Sequence, residues 1–172
     1  MGARTPRLLF TATLGAAIAV WAAHPLPVAG QTSANSDEDR QLLGTWKLNL
    51  AKSKFDPGPP PMSETRVFEA WETDGVKMTI TVVGADGTRG TLGFSNHYDG
   101  KDYKLTGSPD FDTVAAKRVG ANTVAFTLKR SGKVVETGRD VVSKKGKVRT
   151  LTATGMTSQG QKVNVVAVYD KQ

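Results

Sequence analysis

From Glu64 onward the chain alternates apolar and polar positions in short runs, and a glycine turn closes almost every run. In Val76-Lys77-Met78-Thr79-Ile80-Thr81-Val82 the apolar set Val76, Met78, Ile80 and Val82 takes one face of an extended strand, and Lys77, Thr79 and Thr81 the other. Leu92, Phe94, Asn96 and Tyr98 share a face of the next run, and Val124, Phe126 and Leu128 share another. In the last run Val163, Val165, Ala167 and Tyr169 fall together, which turns Tyr169 toward the interior. The turns are Thr73-Asp74-Gly75, Ala85-Asp86-Gly87, Tyr98-Asp99-Gly100, Val119-Gly120-Ala121-Asn122, Ser131-Gly132, Lys145-Gly146 and Ser158-Gln159-Gly160. Successive turn glycines mostly stand about twelve to fourteen residues apart, the span of one strand and one tight loop. No helical period of useful length interrupts them, so the alternating helix-and-strand sheets that bind nucleotides are excluded. Strands with one apolar face need a second sheet or closure on themselves, and sequential hairpins make closure the simpler topology. The pattern predicts one all-β domain, an up-and-down antiparallel barrel of about 8 to 10 strands.

Upstream, Leu43-Gly44-Thr45-Trp46-Lys47-Leu48-Asn49-Leu50 reads as the first strand, anchored by Trp46. The stretch from Ala51 to Met62 holds Pro57, Pro59, Pro60 and Pro61, whose missing N–H groups and fixed φ suit a semi-rigid loop across one end of the barrel. Before the first strand, Asp37 to Leu43 either makes a helical turn that plugs the barrel or stays loose. Residues 1–30 carry Arg4 and Arg7, an apolar run from Leu8 to Ala23 and small residues at Val28, Ala29 and Gly30, the three parts of an export signal. We therefore expect a signal peptide over 1–30, a flexible leader over 31–40, a barrel domain over 41–172, and a secreted or periplasmic destination.

Composition narrows the options. The chain has no cysteine, which removes thiol nucleophiles, thiolate metal sites and a lipid-modified anchor, and leaves burial and hydrogen bonding to hold the fold. Its formal charge is +7, which removal of Arg4 and Arg7 lowers to +5. The cations are interspersed with acids, and the densest group, Lys144, Lys145, Lys147 and Arg149, reads as a solvated turn. Without interleaved aromatics that gives no nucleic-acid surface, although weak contact with an anionic membrane surface stays open.

The candidate chemistry is sparse. His24 lies in the signal, so His97 is the only histidine of the mature chain, and alternation sets it on the polar face with Thr91, Gly93 and Ser95. One imidazole and otherwise oxygens match zinc poorly, and a lone histidine is a weak haem ligand. Asp99 with Asp102, and Asp110 with Asp112, sit at Gly and Pro turns where acids cap backbone N–H groups, and neither pair has the spacing of a calcium loop. No catalytic residue, metal or cofactor is expected.

Gly44-Thr45-Trp46, the repeated Asp-Gly hairpins and the terminal Val168-Tyr169-Asp170-Lys171 together resemble the calycin superfamily, the lipocalins and fatty-acid-binding proteins. The Gly-Thr-Trp-Lys-Leu opening with Ala51-Lys52-Ser53-Lys54-Phe55 is most similar to bacterial secreted lipocalin-like proteins. The resemblance implies that Gly44 and Trp46 close the barrel floor. It also implies a carboxylate clamp of two arginines and a tyrosine, of which Tyr169 and, facing inward with Val135, Thr137 and Val141, Arg139 are the counterparts. Ala167 stands where the terminal arginine would be, and the proline loop replaces the two-helix lid. The expected function is non-catalytic carriage of a small hydrophobic or amphipathic ligand by a monomeric barrel, with Phe94, Tyr98, Phe126, Arg139 and Tyr169 on its wall. The alternative is a structural or protein-interaction module of the cell envelope with a filled barrel.

Overall fold

The computed structural model describes residues 37–157 and 160–172. The expected signal peptide and all but the end of the expected leader lie outside them, as do Ser158 and Gln159 of the last turn. A short helix α1 (Asp37–Leu42) leads into β1 (Gly44–Leu48). After a 3-10 turn (Leu50–Lys52) come β2 (Lys54–Asp56), β3 (Ser63–Trp71), β4 (Gly75–Val83), β5 (Arg89–Asn96) and β6 (Asp99–Lys104). Then follow β7 (Thr113–Gly120), β8 (Thr123–Arg130), β9 (Lys133–Val142), β10 (Val148–Met156) and β11 (Lys162–Lys171).

All strand pairs are antiparallel, in the order β5-β4-β3-β1-β11-β10-β9-β8-β7-β6, with β2 added on β11. The fold is thus the all-β antiparallel barrel that the sequence predicts, with ten strands on the main path and β2 as an eleventh. The barrel is nearly closed. Between β5 and the end of β6 a single bridge joins the edges, with Gly93 and Thr106 exchanging N–H···O bonds of 3.0 Å in both directions. Just beyond it, Gly107 has φ of +84°, and a Cβ there would lie 1.9 Å from the Thr91 carbonyl oxygen. Only glycine lets the two backbones meet this closely.

The opposite seam is built differently. β1 pairs with β11 at Trp46–Lys171, Lys47–Asp170 and Leu48–Tyr169, and β2 pairs with the same edge at Asn164 to Val166. The 3-10 turn bridges the interval: Asn49 N–H donates to Val168 O (2.8 Å), and Val168 N–H donates to Ser53 Oγ (2.9 Å). No backbone group of Val168 is orphaned where one strand hands over to the next.

The core gathers around Trp46 and Tyr169, both wholly buried, with Leu42, Phe68, Val76 and Val142 beside them. Leu42 shows that α1 does plug one end, and its helical span includes the last four residues of the stretch expected to be a flexible leader.

Candidate functional site

Alternation on β3 points Glu64, Arg66 and Phe68 inward, and on β10 Arg149, Leu151 and Ala153. The interior therefore holds ionised groups on strands that otherwise supply the core. Arg149 is 1% exposed, and its guanidinium carbon lies 3.5 Å from the Phe68 ring centroid and 4.8 Å from that of Trp46. Its Nη2 donates to the Leu42 carbonyl (3.2 Å), which ties the end of α1 to the wall. Nε stands 3.2 Å from Asp140 Oδ1, close enough for ion pairing though not aligned as a hydrogen bond. Burial pulls the Arg149 pKa below the ordinary guanidinium value, and Asp140 opposes that pull.

A second pair sits alongside. Arg66 Nε meets Glu64 Oε1 at 2.5 Å, and the Tyr169 hydroxyl donates to the same oxygen (2.9 Å) while its ring lies 4.8 Å beneath the Arg66 guanidinium. Burial works against the Arg66 charge, but Glu64 and then Tyr169 outweigh it and the net pKa is raised. Burial, with Arg66 opposing, also raises the Tyr169 hydroxyl, so the phenol stays protonated and remains a donor. Tyr169→Phe is expected to cost about 1–2 kcal/mol, the worth of one hydrogen bond to a charged acceptor that Arg66 still satisfies; urea denaturation measures it.

Next to these pairs lies an interior cavity of about 270 Å³. Its apolar lining comes from β4 and β5 on one side (Val76, Met78, Ile80, Leu92, Phe94) and from β7 and β8 on the other (Val114, Ala116, Phe126, Leu128). Polar groups reach it from Glu64, Arg66, Asn96, Glu136 and Asp140. Asn96 is fully buried; its Oδ1 accepts from Tyr98 N–H (2.8 Å), which fixes the amide orientation and leaves Nδ2 with no partner. Burial, opposed by Arg66, raises the Glu136 carboxyl above the usual range. Phe111 and Glu136 also line a surface groove edged by the exposed side chains of Val134 and Met156.

The expected wall residues separate into two groups. Phe94, Tyr98 and Phe126 line the cavity, and Tyr169 faces inward and acts on it through Glu64. Gly44 (φ +110°) opens β1 opposite Phe68, and Trp46 is sealed between Arg149 and Lys171, whose Nζ is 5.0 Å from its ring.

Arg139 is a correction. It is exposed on the outer face of β9, because the inward set of that strand is Glu136, Gly138, Asp140 and Val142, not Val135, Thr137, Arg139 and Val141. Phe126 forces this facing: its ring lies over Gly138, where a Cβ would come within 2.5 Å of Cζ. Arg149 is a second correction, since it leaves the solvated lysine turn altogether and enters the core.

The remaining candidates stay apart. His97 is partly exposed, with Nε2 3.2 Å from Glu72 Oε2 and its ring 4.9 Å from that of Trp71. Asp99 accepts from Lys101 N–H and the Tyr103 hydroxyl, Asp102 pairs with Lys129 Nζ, and Asp112 accepts from Ser131 N–H. Among the described residues no group of three or more His, Asp or Glu converges as a metal site.

No family model matches the chain, and no curated protein does. Solved structures of similar shape include the fluorescent protein UnaG, 14% identical, with 77% of this chain and 98% of that one covered and a TM-score of 0.47. Zebrafish ileal bile acid-binding protein, complexed with cholic acid, is 13% identical over 77% of this chain and 99% of that one, at a TM-score of 0.44. Rv2717c from M. tuberculosis is 15% identical over 79% of this chain and 96% of that one, also at 0.47.

Proposed function

We propose that this chain binds, without transforming, a small apolar or amphipathic molecule inside its barrel. The observation that carries the reading is the cavity of about 270 Å³, walled by aliphatic and aromatic side chains with a few polar groups at its edges. A cavity of about 150 Å³ accommodates benzene, so this one suits a ligand of roughly ten to fifteen non-hydrogen atoms. Desolvation of that ligand would supply most of the affinity.

Export is part of the proposal and rests on the basic head, apolar run and small-residue end of residues 1–30. The calycin kinship proposed for the chain rests on Gly44-Thr45-Trp46 and the terminal strand. N-terminal sequencing of protein recovered from the envelope or medium tests the first of these.

The rival reading, an envelope interaction module with a filled barrel, draws support from the Arg149, Trp46 and Phe68 stack, which fills the end next to α1. Native mass spectrometry with organic extraction of the protein from its own host separates the two. A stoichiometric small molecule supports carriage; an empty barrel that also fails to bind a panel of lipids and hydrophobic dyes overturns it. Leu92→Trp, which adds an indole to the cavity, is expected to weaken dye binding roughly ten-fold or more while circular dichroism stays that of a folded sheet. Unchanged binding would place the ligand outside the barrel.

A further inference from the structure

On β5 the inward positions Leu92 and Phe94 are followed by Asn96, which is fully buried and borders the cavity. The fold treats the two halves of its amide differently. Oδ1 accepts from the N–H of Tyr98 (2.8 Å), a residue with φ of +55°, so the carbonyl half holds the bend that ends β5. Nδ2 meets no acceptor among the described residues. A buried donor without a partner is a standing cost to the fold, and an apolar residue in phase with Leu92 and Phe94 would remove it. The bend accounts for the acceptor and leaves the donor unexplained.

Register fixes where along the cavity this donor stands. Val76 opposes Asn96, and at the far end of the same strand Val82 opposes Glu64. Val76 and Tyr98 also border the hollow lined by Leu42, which puts Asn96 at the end that α1 plugs. Phe111 and Glu136 open the other end to the surface groove. The wall next to Asn96 is apolar, with Val76 across the ladder and Phe94 two positions back.

We propose that Asn96 is the residue by which the cavity reads its ligand: Nδ2 donates to a carbonyl-type oxygen, as in a ketone, ester or amide, held at the α1 end. The apolar remainder of the ligand extends toward the groove. This deepens the ligand-binding reading above and rests on it. The contact calls for an acceptor and for no charge, and in apolar surroundings a ligand that lacks the oxygen leaves the donor stranded. The Tyr98 bond matters here as well, because it keeps the amide from turning its own carbonyl toward the ligand.

The probes are acetylnaphthalene and isopropenylnaphthalene, matched in ring position and size, in which a carbonyl oxygen is exchanged for a methylidene group. In equilibrium dialysis Asn96→Leu is expected to weaken the ketone roughly five-fold or more, the worth of one hydrogen bond. The olefin should bind that variant as well as it binds the unaltered protein, or better, which also shows the variant folded. Infrared difference spectroscopy on the unaltered protein needs no variant: with an isotope-labelled carbonyl, the stretch of the bound ketone is expected below its value in hexane. If ketone and olefin respond equally to Asn96→Leu, or if the bound carbonyl absorbs where it does in hexane, Asn96 does not read the ligand, and the cavity reading survives because both probes bind. If neither probe binds the unaltered protein, the cavity reading falls and takes this inference with it.

Discussion

Replacing Arg149 with alanine is expected to lower the unfolding free energy by about 3–5 kcal/mol, the usual cost of breaking a buried ion pair from one side. Asp140, its side chain only 13% exposed, would lose its partner at 3.2 Å. The Leu42 carbonyl would lose its donor, and the faces of Trp46 and Phe68 would border a void. For a domain of this size each kcal/mol moves the melting temperature by about 2–4 °C, so thermal unfolding should shift by roughly 6–20 °C. The informative partner is Arg149→Met with Asp140→Leu, which removes both charges and keeps apolar volume. That double variant should recover most of the loss. If it is as unstable as Arg149→Ala, the guanidinium serves by filling space and not by neutralising Asp140.

Gly107→Ala is the second large effect, expected at about 3 kcal/mol. Left-handed backbone costs an L residue about 1–2 kcal/mol, and the added methyl collides with the Thr91 carbonyl at 1.9 Å. Relieving that collision pulls apart the two hydrogen bonds between Gly93 and Thr106, each worth about 1 kcal/mol. Gly132→Ala is the control, because Gly132 has φ of +76° but nothing within 4 Å of a Cβ, so it bears the strain alone. Amide exchange at Gly93 and Thr106 should accelerate in Gly107→Ala and stay slow in Gly132→Ala. Equal behaviour in the two variants would mean that the bridge contributes nothing to closure.

The barrel was legible in the sequence because its signal is local. Val76, Met78, Ile80 and Val82 alternate without interruption and do line the wall, as do Phe94 and Phe126. The charged interior was harder to read. Arg149 stands in phase with Leu151 and Ala153, and Arg66 with Phe68, so period-two alternation carried the information for both. Proximity to three lysines made Arg149 resemble surface, and the two-residue spacing of Glu64 and Arg66 does not announce a buried pair. β9 misled for the opposite reason: its valines face out, and its inner face is made of Glu136, Gly138 and Asp140, a choice set by the bulk of Phe126 on the neighbouring strand. Cavity volume is a property of packing between distant strands, and no local pattern encodes it.

The seam between β1, β2 and β11 also bears on how the molecule reaches this state. The first strand of the barrel finds its second neighbour only in the last, while every other seam on the path except β1 with β3 joins strands consecutive in sequence. Hairpins from β3 to β5 and from β6 to β11 close short loops and are free to form early, whereas the N-terminal strands wait for the entire chain before Val168 can receive Asn49 and Ser53. Closing the β1–β11 seam carries the largest loop-closure entropy in the barrel, so its hydrogen bonds are expected to form after those of the hairpins, which pulsed amide exchange during refolding would check.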